Sequence, residues 1–162
     1  MSTPDPATLP LEHRLMLAAR DFAFTVPALA ELAAKQRDED SAITPEGEAP
    51  KRTRLIITAQ DTGRAVRAGH VPIRTIRLEF EIRANAKVPV GKADPFAATC
   101  GALEQLLDTS NLKEALDSPE NHVAVMLATR VPGNGYSVQG DIRLQRYVLE
   151  VKAVKLELTI AS

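Results

Sequence analysis

Tryptophan is absent, and four phenylalanines and two tyrosines make up the whole aromatic content. Stacking platforms for single-stranded nucleic acid or carbohydrate are therefore scarce. Cys100 is the lone cysteine, which excludes an intrachain disulfide and any cysteine-rich zinc site. No apolar run approaches the roughly 18 residues of a membrane-spanning helix, so no membrane association is expected. The opening MSTPDPATLP has no basic region followed by an apolar core. No secretory signal is read there, and synthesis inside the cell is the simplest expectation. The histidines, His13, His70 and His122, fall in three separate segments. None has a nucleophile motif beside it, so no catalytic, cofactor-binding or metal-ligating residue is expected, and the chain does not read as an enzyme.

What is present is ordinary in amount and uneven in placement. A chain of 162 residues, 44% apolar and 25% charged, fits one domain able to bury a single core. Its net charge of −1 hides a strong segregation. Residues 1–50 carry 4 basic and 9 acidic side chains, residues 51–92 carry 10 and 3, and residues 93–162 carry 6 and 9. Two explanations stand. Acidic helices and tails could offset a basic sheet within one fold, or basic strands could meet an acidic surface on a neighbouring subunit.

The plainest pattern lies in Val71–Ala86, VPIRTIRLEFEIRANA. Ile76, Leu78, Phe80, Ile82 and Ala84 alternate with Thr75, Arg77, Glu79, Glu81 and Arg83. A period of two sends the first set into a core and the second to water or a partner. Residues 53–60 read as a preceding strand, and residues 61–72 as a glycine-punctuated connection carrying Arg64, Arg67 and His70. Upstream, residues 1–10 read as an extended arm. Leu11, Leu15, Ala18, Ala19 and Phe22 follow at helical spacing, and Pro27 leaves open two helices or one kinked helix. Residues 38–50 read as an acidic linker, and the Asp38–Asp40 triplet as a solvated helix end rather than a metal site.

Beyond the long strand, Asp94–Pro95 signals a helix start. Phe96, Cys100, Leu103, Leu106 and Leu107 give its apolar stripe, which makes Cys100 a core residue rather than a reactive thiol. Asn111 and Glu114 resemble a capping box for a short second helix ended by Pro119. His122–Val131 reads as a buried strand. Residues 132–141 read as a hairpin connection, since no lysine or helix follows to make their glycines a phosphate loop. Ile142–Ile160 reads as a final strand whose phase slips near Ala153–Val154, which predicts a β-bulge there. Together these predict an α+β sandwich: a mainly antiparallel four-stranded sheet with helices packed on one face, residues 11–162 forming one domain.

The element order, the strand LEFEIRANA, the helix PFAATCGALEQLLDTSNLKEAL and the hairpin SVQGDIRLQRYVLEVKAV together resemble tail-terminator and tail-completion (head–tail joining) proteins of long-tailed bacteriophages, over about residues 11–160. The resemblance implies a virion structural protein of the tail or neck, made in the host bacterial cytoplasm. It further implies a six-fold ring that caps the tail tube, ends its polymerisation and docks the head–tail connector or stopper. The partners implied are the chain's own copies, the tail tube protein, the connector, and DNA passing through the lumen without specific recognition. No cofactor accompanies that role.

A ring needs two different patches that meet between copies. The candidate interface residues are Arg64, Arg67, Arg77, Glu79, Glu81, Arg83, Tyr136 and Arg146. Another head–tail joining or neck protein is the nearest alternative. A nucleic-acid-binding module using the basic segment 51–92 is the alternative from a different class.

Overall fold

The computed structural model describes residues 5–32, 53–68, 71–132 and 135–156. The acidic linker 38–50 and His70 lie outside the described residues. Helix α1, Leu11–Ala23, forms because its apolar residues return every three or four positions. Leu11, Leu15, Ala18, Ala19, Phe22 and Ala23 are all buried. The helix ends at Phe24, and residues 27–32 (α2) form a separate helical segment beginning at Pro27. Of the two readings left open by Pro27, the structure has two helices, with proline at the start of the second where its missing N–H costs nothing.

Ahead of α1 the chain is not simply extended. Pro6–Thr8 form a 3-10 turn capped by Asp5, whose carboxylate accepts from the Ala7 N–H. Arg14, 3% exposed on α1, holds this turn down. Its guanidinium donates to the carbonyls of Ala7 (2.7 Å), Leu9 (2.8 Å) and His122 (3.1 Å). A buried cation satisfied by three carbonyls fixes the chain far better than apolar contact alone.

Among the described residues the sheet contains five antiparallel strands, one more than expected from the sequence: β1 Arg54–Ala68, β2 Val71–Asn85, β3 Val123–Val131, β4 Tyr136–Gln139 and β5 Ile142–Lys155. Their order is β1-β2-β5-β3, with β4 also on β5. Because β3 pairs with residues 148–155 of β5 and β4 with residues 142–145, the two lie end to end along one edge. The sheet is thus four strands wide, with an interrupted last strand. The hairpin connection read over residues 132–141 is corrected accordingly. Most of its second half is β4, and the turn itself is only Gly140–Asp141. Gly140 takes φ 59°, the left-handed geometry that a two-residue hairpin turn asks of its first residue.

Two other boundaries move. β1 continues to Ala68, so Arg64 and Arg67 stand on a strand rather than on a long connector. The irregularity expected near Ala153–Val154 falls in the partner strand instead. Val125 pairs with Ala153 and Leu127 with Lys152, which makes Met126 the extra residue. A second bulge interrupts β1, where two residues more than on β2 lie between Asp61 and Ala65. Gly63 takes φ 78° there, and Thr62 Oγ1 donates to the Thr75 carbonyl at 2.8 Å to close the gap.

Helices α3 (Pro95–Thr109) and α4 (Leu112–Leu116) begin at the expected caps, Asp94 and Asn111. The core cluster joins Leu11, Leu15, Leu29, Phe96, Leu103 and Leu116 of the helices to Ile76, Leu78, Phe80, Ile82 and Ala84 of β2. From β5 it takes Tyr147, Leu149, Val151 and Ala153, which the register sets on the same face. None of the odd-numbered β2 side chains belongs to it. Cys100 is buried in this cluster, as its place in the α3 stripe predicts, and burial pushes its thiol up to about 11.

Candidate interaction surface

Side chains directly opposite one another on paired strands share a face, so the register defines the sheet surface that the core cluster leaves out. On β2 it carries Thr75, Arg77, Glu79, Glu81 and Arg83. Opposite them on β5 stand Lys152, Glu150, Val148, Arg146 and Leu144. β1 adds Ile56, Thr58 and Gln60, and β3 adds Leu127, Thr129 and Val131.

The middle of this outer face is an ion-pair row. Arg146 Nε donates to Glu81 Oε1 at 3.1 Å and lies 3.1 Å from Glu79 Oε1, and Arg83 reaches Glu81 Oε2 at 3.0 Å. Glu81 is 8% exposed and holds a cation on each side. Leu144 and Val148 flank the row and are buried as well, although neither belongs to the core cluster. The outer face is therefore not a uniformly wet surface. It is an ordered band of alternating charge set beside apolar side chains.

The eight candidate interface residues divide among three places. Arg77, Glu79, Glu81, Arg83 and Arg146 come together on the outer face, as the alternation of β2 indicates. Arg64 and Arg67 stand apart, on the exposed end of the β1–β2 hairpin. Among the described residues, positions 71–73 of β2 are paired with β1 alone, so this end forms a two-stranded arm. Asp61 and Arg74 brace its base with an ion pair of 2.8 Å. The Gly63 N–H, and then Arg74, hold the Asp61 carboxyl below the usual carboxylate range. Tyr136 belongs to neither group. It pairs with Gln145 on the core side of β4 and rests against Phe96, ring centroids 6.1 Å apart.

Sequence reasoning missed the strongest polar feature on the core side. Arg143, 5% exposed, forks onto Asp94 with contacts of 2.7 and 3.1 Å. It also donates to the Asn85 carbonyl at 2.8 Å and lies over the Phe96 ring at 4.7 Å. The hydrogen bonds from Arg143 hold Asp94 below its ordinary value, and the same contact raises Arg143. This strut ties the start of β5 to the end of β2 and to the N-terminus of α3. A signal was available: position 143 falls in the core-facing phase of Tyr147, Leu149 and Val151, where an arginine must find a carboxylate.

The break between β3 and β4 leaves a notch in the sheet edge. Four residues of the chain separate Val131 from Tyr136, but only two, Arg146 and Tyr147, separate their partners Val148 and Gln145 on β5. A cavity of about 470 Å3 opens there, lined by Glu104, Arg130, Val131, Arg146, Tyr147 and Val148. Arg130 pairs with Asp108 of α3 and lies 5.8 Å from the centre of the Tyr147 ring. Burial pushes the Tyr147 hydroxyl up to about 12, while it donates to the Cys100 carbonyl at 3.3 Å. Among the described residues, no group of three or more histidine, cysteine, aspartate or glutamate side chains is placed to hold a metal, and no helix is long and apolar enough to cross a membrane. Compared with known proteins, the chain matches no family model and no curated protein significantly.

Proposed function

We propose that the chain is a structural subunit that assembles with copies of itself, its sheet providing the contacts. Within that class the particular reading is a tail terminator of a long-tailed bacteriophage, a ring at the head-proximal end of the tail tube that joins it to the connector. The observation that carries the class is the outer face. A row of paired glutamates and arginines, with exposed Leu127 and Val131 on the same face, suits a contact surface with a fixed register. The finer reading rests on the resemblance in element order and in the wording of the strand, helix and hairpin.

Nucleic-acid binding by residues 51–92 is less well supported. Arg74 and Arg83 are engaged by Asp61 and Glu81, and two glutamates lie in the middle of the basic strand. The discriminating measurement is the mass of the purified protein by light scattering, followed by negative-stain imaging. Closed rings are the expected result, six-fold for the terminator. A monomer at every concentration would overturn the assembly reading. Tight, salt-sensitive gel shifts with duplex DNA would favour the other class.

A further inference from the structure

Among the described residues, the arm end of β1 and residues 127–131 of β3 have no further strand beside them, and their chemistries match each other. At one edge stands the β1–β2 arm. Register puts Val66 opposite Ile73 on the outer face, and Arg67 opposite Pro72 on the helix side. Val66 is 67% exposed. A two-stranded ribbon is marginal in water unless something covers a face of it, so an arm ending in exposed valine is incomplete alone.

At the other edge runs β3. Asp117 Oδ1 accepts from the Val125 N–H at 2.9 Å, and the Met126 bulge follows, so the first part of this edge is closed. Residues 127–131 (LATRV) have no proline, lysine or glycine to discourage another strand. Leu127 and Val131 are exposed on the outer face, and Arg130, with Asp108 and Glu104 near it, lies on the helix side.

The geometry points to strand addition between copies: the arm of one copy lies along residues 127–131 of the next. Extending the sheet in this way keeps both faces in phase. Val66 on β1 meets Leu127 and Val131 on the outer face, with Ile73 one strand behind it, and Arg67 meets the acidic helices on the other. Charge supports the match. Residues 61–74 contain three arginines and one aspartate, whereas residues 95–121, which flank β3, contain five acids and one lysine. Two different patches on opposite edges make a heterologous contact, which closes into a ring when the rotation per copy divides a full turn. This inference deepens the assembly reading and rests on it.

Its test uses two variants of the full chain, Val66→Asp on the arm and Leu127→Asp on β3, both at exposed positions. Each alone should lose assembly, with at least a tenfold rise in the dissociation constant by analytical ultracentrifugation. Mixed in equal amounts they should form a dimer and stop there, because only one arm and one edge remain intact. Circular dichroism and thermal melting confirm folding; should either variant fail to fold, Val66→Ser and Leu127→Ser are read the same way. Assembly of the single variants like wild type would overturn strand addition while leaving self-assembly standing. Folded variants that never pair in the mixture would overturn it too. A wild-type protein that stays monomeric would overturn both.

Discussion

Arg143 and Asp94 are the pair on which the junction of β2, β5 and α3 depends. Their side chains are 6% and 18% exposed, so solvent weakens the interaction only in part. Replacing Asp94 by Asn leaves the guanidinium buried with a neutral partner and removes the charged cap of α3. The expected loss at pH 7 is about 2–3 kcal/mol, in the range for charged hydrogen bonds and a partly buried pair. The pH dependence has a definite sign. Arg143 depresses the folded-state value of Asp94 below its unfolded value of about 3.9. The stabilisation is therefore complete above about pH 5 and disappears as pH falls through the folded value. Urea midpoints of wild type and Asp94→Asn should differ clearly at pH 7 and converge at acid pH. A gap that is constant with pH would show that the carboxylate charge contributes nothing. Cys100 illustrates the opposite case, a thiol pushed up by burial, whose neutral form suits the core it fills.

At the scale of elements, what the sequence made legible was whatever rests on periodicity or capping. β2 announces itself by alternation, α1 and α3 by apolar stripes, and α3 and α4 by Asp94 and Asn111. Each of these signals is local, so it survives without knowledge of neighbours. What failed was non-local. The continuation of β1 to Ala68 depends on pairing with β2 across a bulge, and residues 61–68 have too many polar and small side chains to alternate. The phase slip read in β5 is not found in its described residues, where the odd-numbered side chains keep the core face through Ala153. The bulge at Met126 instead shifts the phase of β3, which the sequence reading took as uniformly buried. Among the site residues, the outer-face group followed from the alternation of β2, whereas the place of Tyr136 on β4, on the core side of the sheet, could not be read because residues 132–141 were taken for a loop. The β4–β5 turn gives a clean test of local backbone chemistry. Gly140 takes φ 59°, and a Cβ there would meet nothing within 4 Å. Gly140→Val should thus cost about 1–2 kcal/mol purely through the left-handed backbone, measured by urea unfolding. Gly140→Asn should cost much less. Equal costs for the two would mean that the turn is not held in this geometry.

For the whole molecule, the segregated charge has a simple structural meaning. The basic segment forms the arm and the β1–β2 side of the sheet, whereas residues 95–121, with five acids and one lysine, form α4, which packs on β3, and α3, which reaches β3 through Asp108 and Arg130. Under the proposed strand addition, copies placed edge to edge would bring the basic arm of one against these helices of the next. This has a thermodynamic consequence independent of any mutation. If folding is linked to ring formation, the melting temperature must depend on protein concentration. For a ring of about six subunits, a tenfold rise in concentration adds roughly 1 kcal/mol of stability per subunit by mass action. In a chain of this length that corresponds to a rise of about 2–4 °C. If opposite charges meet at the contact as proposed, the rise should shrink as salt is raised from about 50 mM to about 500 mM. Scanning calorimetry at two concentrations and two salt levels reads both effects. A melting temperature that is the same at every concentration would mean that the folded unit is the monomer, and the matched edges would then need another explanation.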